Sequence, residues 1–303
     1  MASEVGLVLR ATAGFVRVGT GDGEIECRVR GRLKRGRAST DLAVIGDEVE
    51  LERTGEGTGV VTGVRPRRTT FSRLHPAARG RELEDVLVAN LDRLFVVFSA
   101  SVPVLVPRLV DRFLVVGEHS GVPITLVATK VDEAAAEALG HFAGYAALGY
   151  ELVQTSARSG EGLEALRGRL GGISAFVGPS GTGKSSLLNA LCPGLGLRVG
   201  AVGQRAQTGR HTICLAELHP LPGGGYVADT PGIRELAGFR IPTRELARCF
   251  PDLAPHAERC AFSDCLHDRE PGCGVREARL RGEIRADRHD SYLRQLHGED
   301  LHA

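Results

Sequence analysis

Two rhythms of apolar and polar positions divide the chain. In residues 5–9, 14–18, 24–30, 47–51 and 59–64, apolar and polar side chains alternate, and glycine-bearing turns separate the runs. A period of two suits strands buried on one face. Five such strands in the first 66 residues predict a small β-barrel of the OB type. Further on the runs become nearly continuously apolar: Leu94-Phe95-Val96-Val97-Phe98, Ile124-Thr125-Leu126-Val127-Ala128, Glu151-Leu152-Val153-Gln154, residues 174–177 and Tyr226-Val227-Ala228, with helical stretches between them. Strands apolar on both faces predict a mostly parallel sheet covered by helices, an α/β domain whose ligands bind at the carboxyl ends of the strands. Between the two patterns lie Arg65, Arg67, Arg68, Arg73, Arg79 and Arg81, which read as an exposed basic connector. The expected division is therefore a barrel over 1–66, a connector over 67–90, an α/β domain over 91–240 and a C-terminal unit with helices over 241–303.

The candidate chemistry falls where the second pattern places it. After the apolar run Ala175-Phe176-Val177 comes Gly178-Pro179-Ser180-Gly181-Thr182-Gly183-Lys184-Ser185, followed by Ser186-Leu187-Leu188-Asn189. Glycines at both ends of a four-residue gap and then Lys-Ser, between a strand and a helix, form a P-loop. Backbone N–H groups must converge there on phosphate oxygens, which side chains at Gly178 and Gly183 would obstruct. Lys184 is expected to neutralise β/γ charge, with a catalytic part in hydrolysis. Ser185 offers a hydroxyl to Mg²⁺ beside the positive end of the helix. The strand over 226–228 runs into Asp229-Thr230-Pro231-Gly232, where Asp229 would hold Mg²⁺ through water and Gly232 would present its N–H to a γ-phosphate.

Two further strand ends fit a guanine base. Thr129-Lys130-Val131-Asp132 supplies a carboxylate that accepts from the N1–H and exocyclic amine of guanine, a pair of donors adenine lacks, while the Lys130 stem can lie across the base. Thr155-Ser156-Ala157 offers a backbone N–H to the guanine O6. Each segment alone also suits a plain helix cap or loop; beside a P-loop they support one another. Both precede the P-loop, the reverse of the ordinary order in GTPases, so the sheet reads as circularly permuted. The stretch over 200–212, with Gly203, Arg205, Gly209, Arg210 and His211, reads as a switch loop.

Cys260, Cys265, His267 and Cys273 cluster in the C-terminal unit, a ligand set for one closed, structural, tetrahedral Zn²⁺. Cys27, Cys192, Cys214 and Cys249 lie singly among apolar neighbours and are expected in the core. Residues 275–297, with Arg276, Arg279, Arg281, Arg285 and Arg288, read as helical and either RNA-facing or simply solvated.

Composition narrows the picture. A net charge of +1 over 303 residues excludes a uniformly basic nucleic-acid binder; local patches remain, chiefly Arg28, Arg30, Arg32, Lys34, Arg35 and Arg37 on the barrel, where Phe15 is the aromatic available for stacking. Of 38 basic residues only Lys34, Lys130 and Lys184 are lysines, and two of the three fall in the proposed nucleotide site, where a forked guanidinium could not replace a compact ammonium. The start of the chain lacks the pattern of a secretory signal, and its most apolar stretch, 94–106, contains Pro103 and is too short to span a bilayer. A cytoplasmic, monomeric protein without a membrane partner is expected.

In that order, barrel, permuted P-loop domain and Cys₃His module, the chain resembles the RsgA (YjeQ) family of bacterial ribosome-biogenesis GTPases over nearly its whole length. Asn90-Leu91-Asp92, Gly209-Arg210-His211-Thr212, Asp264-Cys265-Leu266-His267 and Pro271-Gly272-Cys273 add to the likeness. The resemblance implies an enzyme that hydrolyses GTP to GDP and phosphate, binds the small ribosomal subunit and its rRNA late in maturation, is stimulated there and leaves after hydrolysis. It implies that His211 orients the attacking water, since Ile233 stands where many GTPases carry Gln, and that Thr212 ligates Mg²⁺. Three departures stand out: Thr129 in place of the usual Asn, Ile213 in place of a second Thr, and almost none of the N-terminal extension often seen in relatives. Two other readings remain at this stage: an RNA-binding assembly factor for which GTP is only a structural ligand, and a P-loop kinase, which the base-reading pair disfavours.

Overall fold

A computed structural model describes residues 4–12, 14–29, 43–74, 84–196, 216–229 and 241–299. Five strands, β1 (Glu4–Thr12), β2 (Phe15–Thr20), β3 (Gly23–Val29), β4 (Glu48–Gly55) and β5 (Thr58–Val64), close into a barrel in the order β1-β2-β3-β5-β4, with β4 returning to β1. The alternation seen in sequence turns Val8, Val16, Val18, Ile25, Cys27, Val49, Leu51 and Val61 inward to one apolar core.

A hairpin follows, β6 (Thr70–Leu74) with β7 (Glu84–Ala89). The exposed connector expected over 67–90 is thus corrected in part, because Phe71, Val88 and Ala89 are fully buried. An apolar run at 86–89 outweighs the surrounding arginines. Two of those arginines act as internal struts. Arg67 donates to both oxygens of the buried Asp47 carboxylate at 2.7 and 2.8 Å, and Arg68 reaches Asp92 at 2.9 Å. Asn90, at φ 55°, accepts from the Arg68 N–H and donates to the Gly46 carbonyl, both at 2.8 Å, which ties barrel to sheet.

The second sheet contains β8 (Arg93–Ser99), β9 (Ile124–Thr129), β10 (Glu151–Gln154), β11 (Ile173–Val177), β12 (Ala216–Pro220) and β13 (Tyr226–Asp229), in the order β10-β9-β8-β11-β13-β12. All pairings are parallel except β12–β13. Helices α1 (Pro107–Ser120) and α2 (Ala136–Ala147) cover one face, placing Phe113, Leu114 and Phe142 against Leu94, Val96 and Leu126. On the other face α3 (Leu163–Arg167) and α4 (Lys184–Leu191) set Leu166, Leu187 and Leu191 against Phe95, Val97, Val127 and Phe176. The continuous apolar runs are the consequence of this two-sided burial.

The two sheets are joined. Glu4 to Leu7 of β1 pair with β4, while Arg10 and Ala11, farther along the same strand, pair with Glu217 and Ala216 of β12. An Arg10–Glu217 ion pair reinforces the join, and one sheet of eleven strands results.

The C-terminal unit comprises α5 (Thr243–Leu246), α6 (Ala254–Ala257), α7 (Gly274–Leu280) and α8 (Ala286–His297). Its core, with Phe250, Leu253, Val275 and Tyr292, takes in Val115 of α1. Arg288, read from sequence as an RNA-facing or solvated arginine, is instead 5% exposed. It bonds Asp252 at 2.7 and 3.0 Å and Asp111 of α1, and its guanidinium lies 4.8 Å over the Phe250 ring. Among the described residues no helix is long and apolar enough to cross a membrane.

Candidate functional site

The P-loop occupies the turn from β11 into α4. Gly178 sits at φ 146° with its backbone against β8, and a Cβ there would meet the Val97 carbonyl oxygen at 2.1 Å. Gly183 precedes α4 at φ 90°, a left-handed conformation that glycine adopts freely. Both end glycines are therefore required by backbone geometry as well as by ligand approach. Within the loop the Thr182 hydroxyl donates to Pro179 at 3.0 Å, and Lys184 Nζ reaches the carbonyls of Gly178 and Pro179 at 2.6 Å each. Ser180 and Gly181 are exposed at the rim, and Ser185 and Ser186 occupy the first turn of α4.

The neighbouring strand ends converge on this loop. Thr129 closes β9, and its hydroxyl lies 2.5 Å from the Thr182 carbonyl and 3.2 Å from that of Phe98. Thr129, which stands where Asn was expected, therefore ties the end of β9 to the P-loop. Lys130, at φ 57°, bonds the carbonyls of Gly181, at 3.0 Å, and Val102. Asp132 follows in a short 3₁₀ turn (Val131–Glu133), whose Val131 N–H donates to Thr155 at 3.2 Å and links it to the loop after β10. There the Ser156 hydroxyl accepts from the N–H groups of Arg158 and Ser159 at 3.2 and 3.1 Å, and Ala157 is exposed. A hydrogen bond from Ser156 and the nearby Arg158 guanidinium hold Asp132 below the usual carboxylate range, so it is an acceptor at neutral pH.

Asp229 ends β13, the strand beside β11. His211, Thr212 and Gly232 lie outside the described residues, as do the basic residues Arg30, Arg32, Lys34, Arg35, Arg37, Arg79 and Arg81, and Cys214. On the barrel Phe15 is 38% exposed with the Arg28 guanidinium 5.3 Å over its ring. Cys27, Cys192 and Cys249 are buried, as expected of core cysteines.

Cys260, Cys265, His267 and Cys273 bring their ligand atoms within 4.8 Å of one another. Zinc–sulfur and zinc–nitrogen bonds of about 2.3 and 2.0 Å would give a tetrahedron with edges of roughly 3.5–3.8 Å. Cys260 Sγ lies 3.9 Å from Cys273 Sγ, and His267 Nδ1 lies 3.3 and 3.5 Å from these two sulfurs. The residues fit the metal. Burial lowers His267, favouring the neutral, ligating imidazole, and pushes the Cys265 thiol up to about 12. A shell outside the ligands fixes the loop: Tyr292 OH donates to Leu266 at 2.8 Å, His289 Nε2 meets the His267 carbonyl at 3.0 Å, and Glu270 accepts from the N–H groups of Leu266, Asp268 and Arg269 at 2.9–3.0 Å. Glu270, Tyr292 and His289 were not legible as parts of this centre, because only their contacts reveal the role. The same holds of Arg158, whose sole sequence signal is that it follows Ser156-Ala157.

A family model described as RsgA GTPase matches residues 64–238, and one described as RsgA N-terminal domain matches 5–61. A Gemmatimonas aurantiaca protein named small ribosomal subunit biogenesis GTPase RsgA is 43% identical over 297 residues, covering 96% of each chain. The protein of that name from Moorella thermoacetica is 39% identical over 95% of this chain and 94% of its own. Among solved structures, YjeQ from Thermotoga maritima superposes with a TM-score of 0.76 at 32% identity over 98% of both chains. YloQ, described as a circularly permuted GTPase, gives 0.73 at 29% identity over 98% of this chain and 95% of its own.

Proposed function

The chain belongs to the RsgA GTPase family, and on that premise we propose that it hydrolyses GTP to GDP and phosphate on the small ribosomal subunit late in maturation, is stimulated there and leaves after hydrolysis. The observation that carries the reading is the meeting of Thr129, Lys130 and the Asp132–Ser156 pair with the P-loop at one end of the sheet. Asp132 selects guanine by accepting two N–H donors, the stem of Lys130 borders the base, and Ala157 offers its N–H to O6. Backbone N–H groups over 178–183 and Lys184 hold the phosphates. Ser185, Thr212 and Asp229 are oxygen donors of the kind Mg²⁺ takes, and the ion, when bound, offsets charge on the β/γ oxygens. His211 orients the attacking water.

The zinc centre is structural: four protein ligands leave no open position. The boundaries near residues 66, 90 and 240 divide barrel, hairpin, GTPase domain and zinc module. Phe15 and the basic residues from Arg28 to Arg37 suit a stretch of rRNA. The protein acts as a cytoplasmic monomer.

Phosphate release with GTP and with ATP, for the parent chain and Asp132→Asn, tests the base reading. GTP preference in the parent and its loss in the variant are expected. A variant that still discriminates against ATP would overturn the role of Asp132.

A further inference from the structure

The guanine-reading carboxylate already has a partner of guanine-like chemistry. Arg158 Nη2 lies 2.6 Å from Asp132 Oδ2, and its Nη1 lies 2.7 Å from Glu133 Oε1. Guanidinium and guanine present the same feature to a carboxylate: a planar edge of N–H donors. Both cannot use the same Asp132 lone pairs.

We propose that Arg158 is an internal competitor for Asp132, a clasp that takes the carboxylate as the base leaves and so sets how fast guanine nucleotides dissociate. The inference rests on Asp132 as the guanine reader. Three features of the structure support it. Arg158 follows Ser156-Ala157 directly, so the loop that would offer an N–H to O6 also carries the rival cation. Its backbone N–H is anchored on the Ser156 hydroxyl at 3.2 Å, which fixes the base of a long side chain within reach of Asp132. Glu133 gives the guanidinium a second anchor, so an Arg158 displaced by guanine stays beside the site and can return.

The side chain is 71% exposed. Solvent therefore screens the pair, and an exposed pair of this kind is worth about a two- to fivefold change in an equilibrium or rate. That is large enough to tune nucleotide residence and too small to abolish binding. The competition must also weaken in salt, since exposed charges are screened within a few ångströms at about 1 M.

The test is dissociation of N-methylanthraniloyl-GDP from the full chain, chased with GDP and followed by fluorescence, for the parent, Arg158→Ala and Arg158→Gln. Both variants should release the nucleotide about two- to fivefold more slowly at low salt, with the difference shrinking at high salt. The exposed position leaves folding unaffected, which circular dichroism verifies. An Asp132→Asn background separates the clasp from the base reading. There the labelled probe is xanthosine diphosphate, whose 2-oxo group accepts where guanine's amine donates, and Arg158→Ala should leave its release unchanged. Equal or faster GDP release in both Arg158 variants, with guanine preference lost in Asp132→Asn, would overturn the clasp alone. Guanine preference retained in Asp132→Asn would overturn the base reading and the clasp together.

Discussion

Replacing Arg288 with methionine removes the cation that holds Asp111 of α1 and Asp252 of the C-terminal unit together while roughly keeping side-chain length. The residue is 5% exposed, and the carboxylates it joins have side-chain exposures of 2% and 9%. In the parent, burial pushes Asp111 up, against the pull of Arg288 and a 2.6 Å hydrogen bond from Tyr145 OH. Without Arg288 two buried carboxylates face each other uncompensated, and breaking a buried pair in this way costs about 3–5 kcal/mol. The cost should fall on the seam between α1 and α8, loosening the C-terminal unit from the GTPase domain. Tyr145 and Tyr292 border that seam, and with no Trp in the chain tyrosine fluorescence during urea unfolding reports on it.

The pH dependence has a definite sign. An acid whose folded pKa lies above its unfolded value binds more protons when native, so its stability contribution falls as pH rises through that window. The deficit of Arg288→Met should therefore be smaller at pH 5 than at pH 7. Neutralising all three groups, as in Arg288→Met with Asp111→Asn and Asp252→Asn, should restore most of the loss. A cost below about 1 kcal/mol at pH 7, against the roughly 3–5 expected for a broken buried pair, or a deficit that grows toward pH 5, would refute the reasoning.

Two other perturbations follow from the geometry. Gly178→Ala sets a methyl 2.1 Å from the Val97 carbonyl at a φ of 146°, so the loop must shift and GTP affinity, measured by equilibrium fluorescence, should fall at least about a hundredfold, the scale of a one-ångström displacement in a positioned site; unchanged affinity would contradict the loop assignment. Metal analysis should find one zinc per chain and a substoichiometric content in Cys265→Ala, and because burial holds the Cys265 thiol up to about 12, zinc uptake at pH 7 should release protons and weaken as pH falls. Chelation that leaves the unfolding of the C-terminal unit unchanged would argue against a structural metal.

What sequence alone displays here depends on how local the physical demand is. The glycine-rich turn between β11 and α4 was legible because its glycine, lysine and serine stand at one fixed spacing, and the Cys/His cluster because thiols and an imidazole in a short span have few other uses. The parallel sheet was legible because two-sided burial leaves continuous apolar runs. The join between β1 and β12 was not, since only Arg10 and Ala11 pair with partners some two hundred residues away and neither strand changes pattern there. Arg288 misled for the same reason: its partner Asp111 lies 177 residues distant, so nothing near it marks burial. The β6–β7 hairpin was hidden by arginines whose counter-charges, such as Asp47 and Asp92, are supplied from elsewhere in the chain.

The most direct measurement is phosphate release from GTP by the purified protein, alone and with purified small ribosomal subunits, for the parent and His211→Ala. Slow turnover alone, strong stimulation by the subunits and a loss of about a hundredfold or more of the stimulated rate in His211→Ala, with GTP binding intact, are predicted. Turnover that small subunits leave unchanged would contradict a ribosome-linked GTPase.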